Sequence, residues 1–462
     1  MESYSIIIIL LAVSIGLVPV ASKLKLPYPI LLLAAGIAFG FIPGFHWIAI
    51  NPEVVFLIFL PPMLYDAAYN ISFKDFRANL PTISLLAITL VFVTTIGIAV
   101  VAHYCIPGMT WPLAFVLGAI LSPPDAVAAA GVTKGLGLPH RACTILEGES
   151  LINDASALVV FRFAVAAVAG SSFIPWKAGL MFVVSLGGGC IVGFILWLVF
   201  AVVVKKIRLN STVLVSLNLL LPFVAYLIAE EFHVSGVISV VTAGLIAAQH
   251  KDQLFSQQAK IQSKSVWDTS IFLLNGLVFI FIGLEFPAVL RSIQNEESIE
   301  LLIVCAFLIF FVALAIRVLI VIRHKFNIEK RMTSIKRKYP FLFGGQKTNN
   351  PKEEKQMAAL KEKHPAFYER KKRQIEDLKD IQALGWKESL IIGWSGMRGI
   401  VSLAAALSLP LLMADSSAFP LWDTIVFLTV VVVIIMLMVQ GLGLLVLVKL
   451  LKIDKNKKFP IP

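Results

Sequence analysis

The amino-acid sequence predicts an all-α polytopic membrane protein of about thirteen transmembrane helices, two of them broken. Three observations carry this. The composition is 58% hydrophobic and only 15% charged, with a mean hydropathy of +0.87, and apolar runs near the ~20 residues that cross a bilayer recur along the chain. The Lys and Arg residues fall almost wholly on one side of those runs. The few charges inside the runs are expensive, since an acid at bilayer depth costs about 2.5–3.5 kcal/mol on insertion scales, so each is a functional candidate.

Hydropathy, turn residues and charges place the spans near 5–21, 29–44, 53–70, 80–103, 112–131, 142–169, 177–204, 212–230, 235–249, 267–287, 299–322, 388–411 and 422–449. The first run, Met1 to Ser22, has no basic n-region and no small-residue cleavage site, so it reads as a span and not as a signal peptide. With the N-terminus outside, 35 of the 40 Lys and Arg residues lie on the inside. This bias predicts an external N-terminus and a cytoplasmic C-terminus.

The chain then divides into eleven spans over 1–322, a basic cytoplasmic loop over 323–387, two spans over 388–450 and a short cytoplasmic tail, 451–462. The loop holds 18 Lys/Arg against 8 Asp/Glu, which is +10 of the chain's net +12. Tethered between two spans, it faces the anionic membrane surface, so the basic pI does not imply nucleic acid. Cys105, Cys143, Cys190 and Cys305 show no paired spacing and read as packing residues. No GxxxxGK[ST], HExxH or GxSxG string occurs, which argues against an ATP-driven pump and an ordinary enzyme and leaves no cofactor implied.

The sixth span holds Glu147-Gly148-Glu149-Ser150-Leu151-Ile152-Asn153-Asp154. Glu147, Ser150 and Asp154 share one helical face, and Glu149 with Asn153 forms an i, i+4 pair elsewhere. The fifth span contains Ser122-Pro123-Pro124-Asp125, where two residues without N–H groups break the helix. Unwound backbone at this depth lines a cavity or is buried, with Asp125 also able to cap the second half-helix. Seven spans later Gly393-Trp394-Ser395-Gly396-Met397-Arg398-Gly399 interrupts the twelfth. An odd shift reverses direction, so the two breaks point to inverted repeats with a site where they cross, and Arg398 can offset helix-end charge there. Arg317 on the eleventh span requires a buried acid, for which Glu149 is the best candidate. Asp66, after Leu60-Pro61-Pro62 on the third span, is either an ion entrance or an interfacial acid.

Together these segments, Leu60–Asn70, Leu121–Ala130, Leu146–Phe163, Ala315–Leu319 and Gly393–Ala405, resemble the sodium/proton antiporter family of the cation:proton antiporter superfamily. The likeness is to its NhaP-like bacterial branch and, more distantly, to the animal exchangers. The resemblance implies an inverted-repeat antiporter fold resident in a bacterial inner (cell) membrane, Na⁺ (or Li⁺) exchanged for H⁺ in pH and sodium homeostasis, and commonly a homodimer. It implies that Asp154 alternately holds a cation and a proton, with Asn153 its motif neighbour and Ser150 and the Ser122–Asp125 break completing the Na⁺ site. Glu149 and Arg317 would be the family's buried ion pair, and Arg398 its arginine in the second broken helix. Asp66 stands where many relatives carry Glu, one methylene longer, and Pro124 where some carry Thr. Alternatives are K⁺/H⁺ exchange on the same fold and, in another class, a channel or ion sensor, although no repeated filter loop is present.

Overall fold

A computed structural model describes residues 2–24, 28–42, 52–124, 140–170, 175–207, 210–294, 299–338, 386–396, 399–410 and 418–451. Every regular element among them is helical: α1 (Glu2–Leu24), α2 (Tyr28–Gly40), α3 (Pro52–Asn70), α4 (Phe73–Cys105), α5 (Trp111–Leu121), α6 (His140–Val168), α7 (Pro175–Lys206), α8 (Ser211–Glu231), α9 (Gly236–Leu254), α10 (Gln257–Gln294), α11 (Ile299–Lys338), α12 (Trp386–Trp394), α13 (Ile400–Leu407) and α14 (Trp422–Met436). A π-helical turn, Leu437–Leu442, leads from α14 into α15 (Gly443–Leu450).

Each predicted run overlaps a helix. Among the described residues, seven helices are long and apolar enough to cross a membrane, from Ala87–Cys105 to Trp422–Leu450. The count of thirteen comes from the hydropathy of the chain; seven is what length and composition secure. Several helices outrun their predicted spans. The eleventh was expected to end near 322, yet α11 continues to Lys338, because Lys, Arg and Glu are good helix formers and hydropathy registers only the apolar part of a helix. The basic loop beyond it, 339–385, lies outside the described residues.

Packing sorts the helices into two bundles. The first is built round α4, which lies against α5, α6 and α11; α11 in turn holds α12 and α14. The second joins α2 and α1 to α10, and α9 to α3, α7 and α8. The bundles meet where α3 touches α6 and α13, and where α10 touches α13 and α14. With lipid as apolar as the side chains, helix association depends on close approach, which small residues permit. At the α2–α10 contact Gly36 and Gly283 supply it: a Cβ on Gly283 would fall 2.7 Å from Ile37 N and 2.8 Å from Gly36 Cα.

Gly283→Leu should therefore cost at least about 1–3 kcal/mol through overpacking and lower the thermal midpoint of the detergent-solubilised protein. Gly16→Leu, where a Cβ meets nothing within 4 Å, serves as the control and should leave that midpoint in place.

Candidate functional site

The site begins with how two helices end. In a continuous helix Pro123 N would donate to the carbonyl of Ala119, but proline has no N–H. The α5 helix stops at Leu121, and the buried Ser122 hydroxyl donates to Ala119 O instead, at 3.2 Å. One step further, the carbonyl of Pro124 accepts from Ser150 Oγ at 3.0 Å. The fifth-span break is thus fastened to α6 at the polar segment of that helix.

The twelfth span is interrupted as well. The α12 helix ends at Trp394 and α13 starts at Ile400, with the Ser395 N–H and hydroxyl both donating to Ile391 O (2.8 and 2.7 Å). The last carbonyls of a helix lack intrahelical donors. That of Ile392 is taken by Arg317 Nε at 3.3 Å, from α11. Gly396 makes room for this: a Cβ there would collide with Arg317 Cδ and lie 2.5 Å from its Nε. The indole of Trp394 donates to Gln440 O at 3.1 Å, a carbonyl in the π-helical turn, where the i→i+5 pattern alters which backbone groups pair within the helix.

Arg317 also reaches α6. Its Nη1 lies 2.9 Å from Glu149 Oε1 and its Nη2 3.2 Å from Oε2, with both side chains almost fully buried at 3% and 1% exposure. Glu149 Oε1 in turn accepts from Asn153 Nδ2 at 3.2 Å. Asn153 Oδ1 is buried with no hydrogen-bond partner among the described residues, and Asp154, next in the chain, is only 6% exposed. A chain of polar contacts therefore runs from the end of α12 through Arg317 and Glu149 to Asn153, the residue beside Asp154, while Ser150 ties the same turn to the α5 break.

Among the residues singled out from sequence, Glu149, Ser150, Asn153 and Asp154 lie together on α6, with Arg317 against them. Asp66, near the end of α3, accepts from Asn70 Nδ2 at 2.7 Å on a helix that packs against α6 and α13. Asp125 and Arg398 lie outside the described residues, as does the side chain of Glu147. Two features escaped the sequence reading. Asp268 on α10 is within electrostatic reach of Asp66, and Arg162 on α6 forms a bidentate pair with Glu230 on α8. Arg162, as a charge in an apolar run, called for an acid just as Arg317 did; Glu230, at a span end, is unremarkable by composition. Among the described residues no three His, Cys, Asp or Glu gather as a metal site.

A helix that stops at a Pro-Pro pair and a span interrupted between Trp394 and Ile400, both packed close to a buried carboxylate, are features that recur in inverted-repeat transporter folds. The structure superposes on the sodium proton antiporter MjNhaP1 of Methanocaldococcus jannaschii with a TM-score of 0.66, covering 97% of this chain and 99% of that one at 18% identity. The model of the transmembrane sodium/hydrogen exchanger matches residues 8–450; the chain belongs to the sodium/hydrogen exchanger family. A sodium, potassium, lithium and rubidium/H⁺ antiporter of Bacillus pumilus is 31% identical over 409 residues, 87% of this chain, and the chain spans 55% of that protein's length. The Na⁺/H⁺ antiporter NhaH of Halobacillus dabanensis is 29% identical, with 96% of each chain covered.

Removing one partner of a buried ion pair strands the other, at about 3–5 kcal/mol. Arg317→Gln and Glu149→Gln should each lower the thermal midpoint clearly, and the double variant should lose less than the two losses added together. Additive losses in thermal unfolding would show that the pair is not a unit.

Proposed function

We propose that the chain is a secondary antiporter that exchanges Na⁺, and Li⁺ with it, for H⁺ by alternating access at Asp154. The observation that carries this reading is the setting of that carboxylate: nearly buried on α6, one helical turn from a hydroxyl fixed on the α5 break and next in the chain to an amide held by a buried ion pair. Asp154 and Ser150 Oγ supply the hard oxygen ligands that an alkali cation takes. Asp125 completes the set at the break, Arg398 offsets the helix-end charge at the other break, and Asp66 receives cations on the way in. Glu149 and Arg317 hold the geometry.

A bare carboxylate cannot be carried through a dehydrated seam, because the charge loses its solvation without a partner. It becomes transferable once a proton or a cation neutralises it. If the bundle bearing α6 rocks against the scaffold bundle only in those two loaded states, each bound species must leave before the other is carried back, and the fluxes are coupled. Asn153 in place of a second acid leaves one charge moving each way, so exchange is electroneutral. The Lys/Arg bias places the N-terminus outside and the C-terminus with the 323–387 loop in the cytoplasm, and the protein works as a homodimer in the cell membrane. The name of the Bacillus pumilus relative favours a second reading, with K⁺ also carried.

In everted vesicles lacking their own antiporters, added Na⁺ or Li⁺ should release protons with the wild-type chain and not with Asp154→Asn; K⁺ in the same assay decides the second reading. A response from Asp154→Asn equal to wild type would remove that carboxylate from the path. Because proton and cation compete for one group, the Na⁺ concentration for half-maximal rate should rise by up to about tenfold for each unit that the pH falls on the acid side of the profile. Exchange at fixed ion gradients should not respond to an imposed membrane potential; a strong response would exclude one-for-one stoichiometry.

A further inference from the structure

The ion pair that the transport site does not use joins the two bundles. Arg162 lies on α6, eight residues beyond Asp154, which is about 12 Å along the same helix axis. Its Nη1 and Nη2 donate to Glu230 Oε2 and Oε1 at 2.9 and 2.8 Å, and Nη2 approaches Tyr226 Oη at 3.5 Å. Both acceptors belong to α8. The α6 helix packs on α4 and α5, and α8 packs on α7, α9, α10 and α3, so this contact leaves one bundle and ends on the other.

The receiving side is built in advance. Glu230 Oε1 also accepts from the backbone N–H of Gly236 at 3.1 Å, in the first turn of α9, where a carboxylate is favoured by the helix dipole. Tyr226 sits one turn before Glu230 on α8. The scaffold therefore holds an oriented acceptor whether or not the guanidinium is present, and α6 brings the guanidinium to it. Beside the pair, between α6 and α7, is a cavity of about 340 Å³ lined in part by Leu158, Phe163, Ser185, His233 and Ser235. Here α6 faces a void instead of close-packed scaffold, so a polar clamp carries the contact. Arg162 is 46% exposed and Glu230 31%, so neither side chain is locked in close packing.

We propose that Arg162 and Glu230 form a latch across the seam, made when the end of α6 beyond Asp154 is closed and opened once in each transport cycle. They are positioning residues: they touch neither cation nor proton, and they set how often Asp154 faces that side. This rests on the rocking-bundle reading above, which places the latch at the outer face. A half-exposed bidentate pair is suited to tuning, since its loss shifts a population by roughly three- to tenfold and not by orders of magnitude.

The test uses the full chain with its four cysteines replaced and Ala157→Cys added. Ala157 is 1% exposed and lies between Asp154 and Arg162 on α6. A membrane-impermeant thiol reagent is applied from outside in right-side-out vesicles. Arg162→Gln and Glu230→Gln, the latter retaining an acceptor for Gly236 N, should each raise the labelling rate about three- to tenfold, and the double variant should go no further than either alone. Arg162→Lys, which keeps the charge and a single contact, should fall between and guards against misfolding of the Gln variants. An unchanged rate in Glu230→Gln, or effects that multiply in the double variant, would overturn the latch. Labelling needs no ion gradient, so a responsive rate in a chain that exchanges nothing would count against the antiport reading and leave the latch standing.

Discussion

A guanidinium at membrane depth has to be neutralised and hydrogen-bonded where it sits, and the constraint imposed by Arg317 organises the interior of the site-bearing bundle. Its side chain is 3% exposed. Glu149 neutralises it with two contacts from α6, and the open carbonyl of Ile392 at the end of α12 accepts its Nε–H. The C-terminal end of a helix carries partial negative charge, so a break that is otherwise a liability in lipid becomes half of the solvation of the arginine. Each of the three helices is held because the other two are: without Glu149 the arginine is a stranded charge, and without the break there is no open carbonyl. A residue larger than glycine at 396 would occupy the volume of the side chain itself.

The two bundles use different means of cohesion. The scaffold relies on backbone approach, with Gly36 and Gly283 setting α2 on α10, and on a buried polar relay in which Tyr65 Oη donates to Asn218 and Asn218 to Ser263. The bundle bearing Asp154 relies on the ion pair and the two helix ends. Small residues give stiff, close interfaces, whereas the helices of the other bundle are drawn together by directed polar contacts among Asn153, Glu149, Arg317 and the carbonyl of Ile392.

Much of this was legible in the chain because charge is so costly in an apolar run. Asp154, Arg317 and the Ser122-Pro123-Pro124 break each violate what a membrane span permits, and the violation itself marks the place. That Arg317 takes Glu149 follows from the same cost. Glu230 carried no such mark, since an acid at the end of a span is ordinary, and the partner of Arg162 emerged only when α8 was set beside α6. Helix ends past the apolar runs, such as α11 running on to Lys338, were hidden for the converse reason: polar residues extend a helix past the point where hydropathy marks its end. The π-helical turn at Leu437–Leu442 left no trace in composition, and the contact it makes, Gln440 O accepting from the Trp394 indole, lies between residues far apart in the chain.

That turn also fixes the rotational phase of everything after it. A π-turn accommodates one residue more than the α-helix around it, and each residue of an α-helix accounts for about 100° of rotation. Leu444 and Val448, beyond the turn, pack with Ile391 of α12 in a small apolar cluster, so they face the half-helix only in the phase the extra residue sets. With one residue fewer, the final helix would present a neighbouring stripe to α12 and turn these two side chains toward lipid. The π-turn is in this sense a spacer measured in degrees: it lets a helix whose upper half is matched to α11 and α10 present a differently aligned lower half to the broken span.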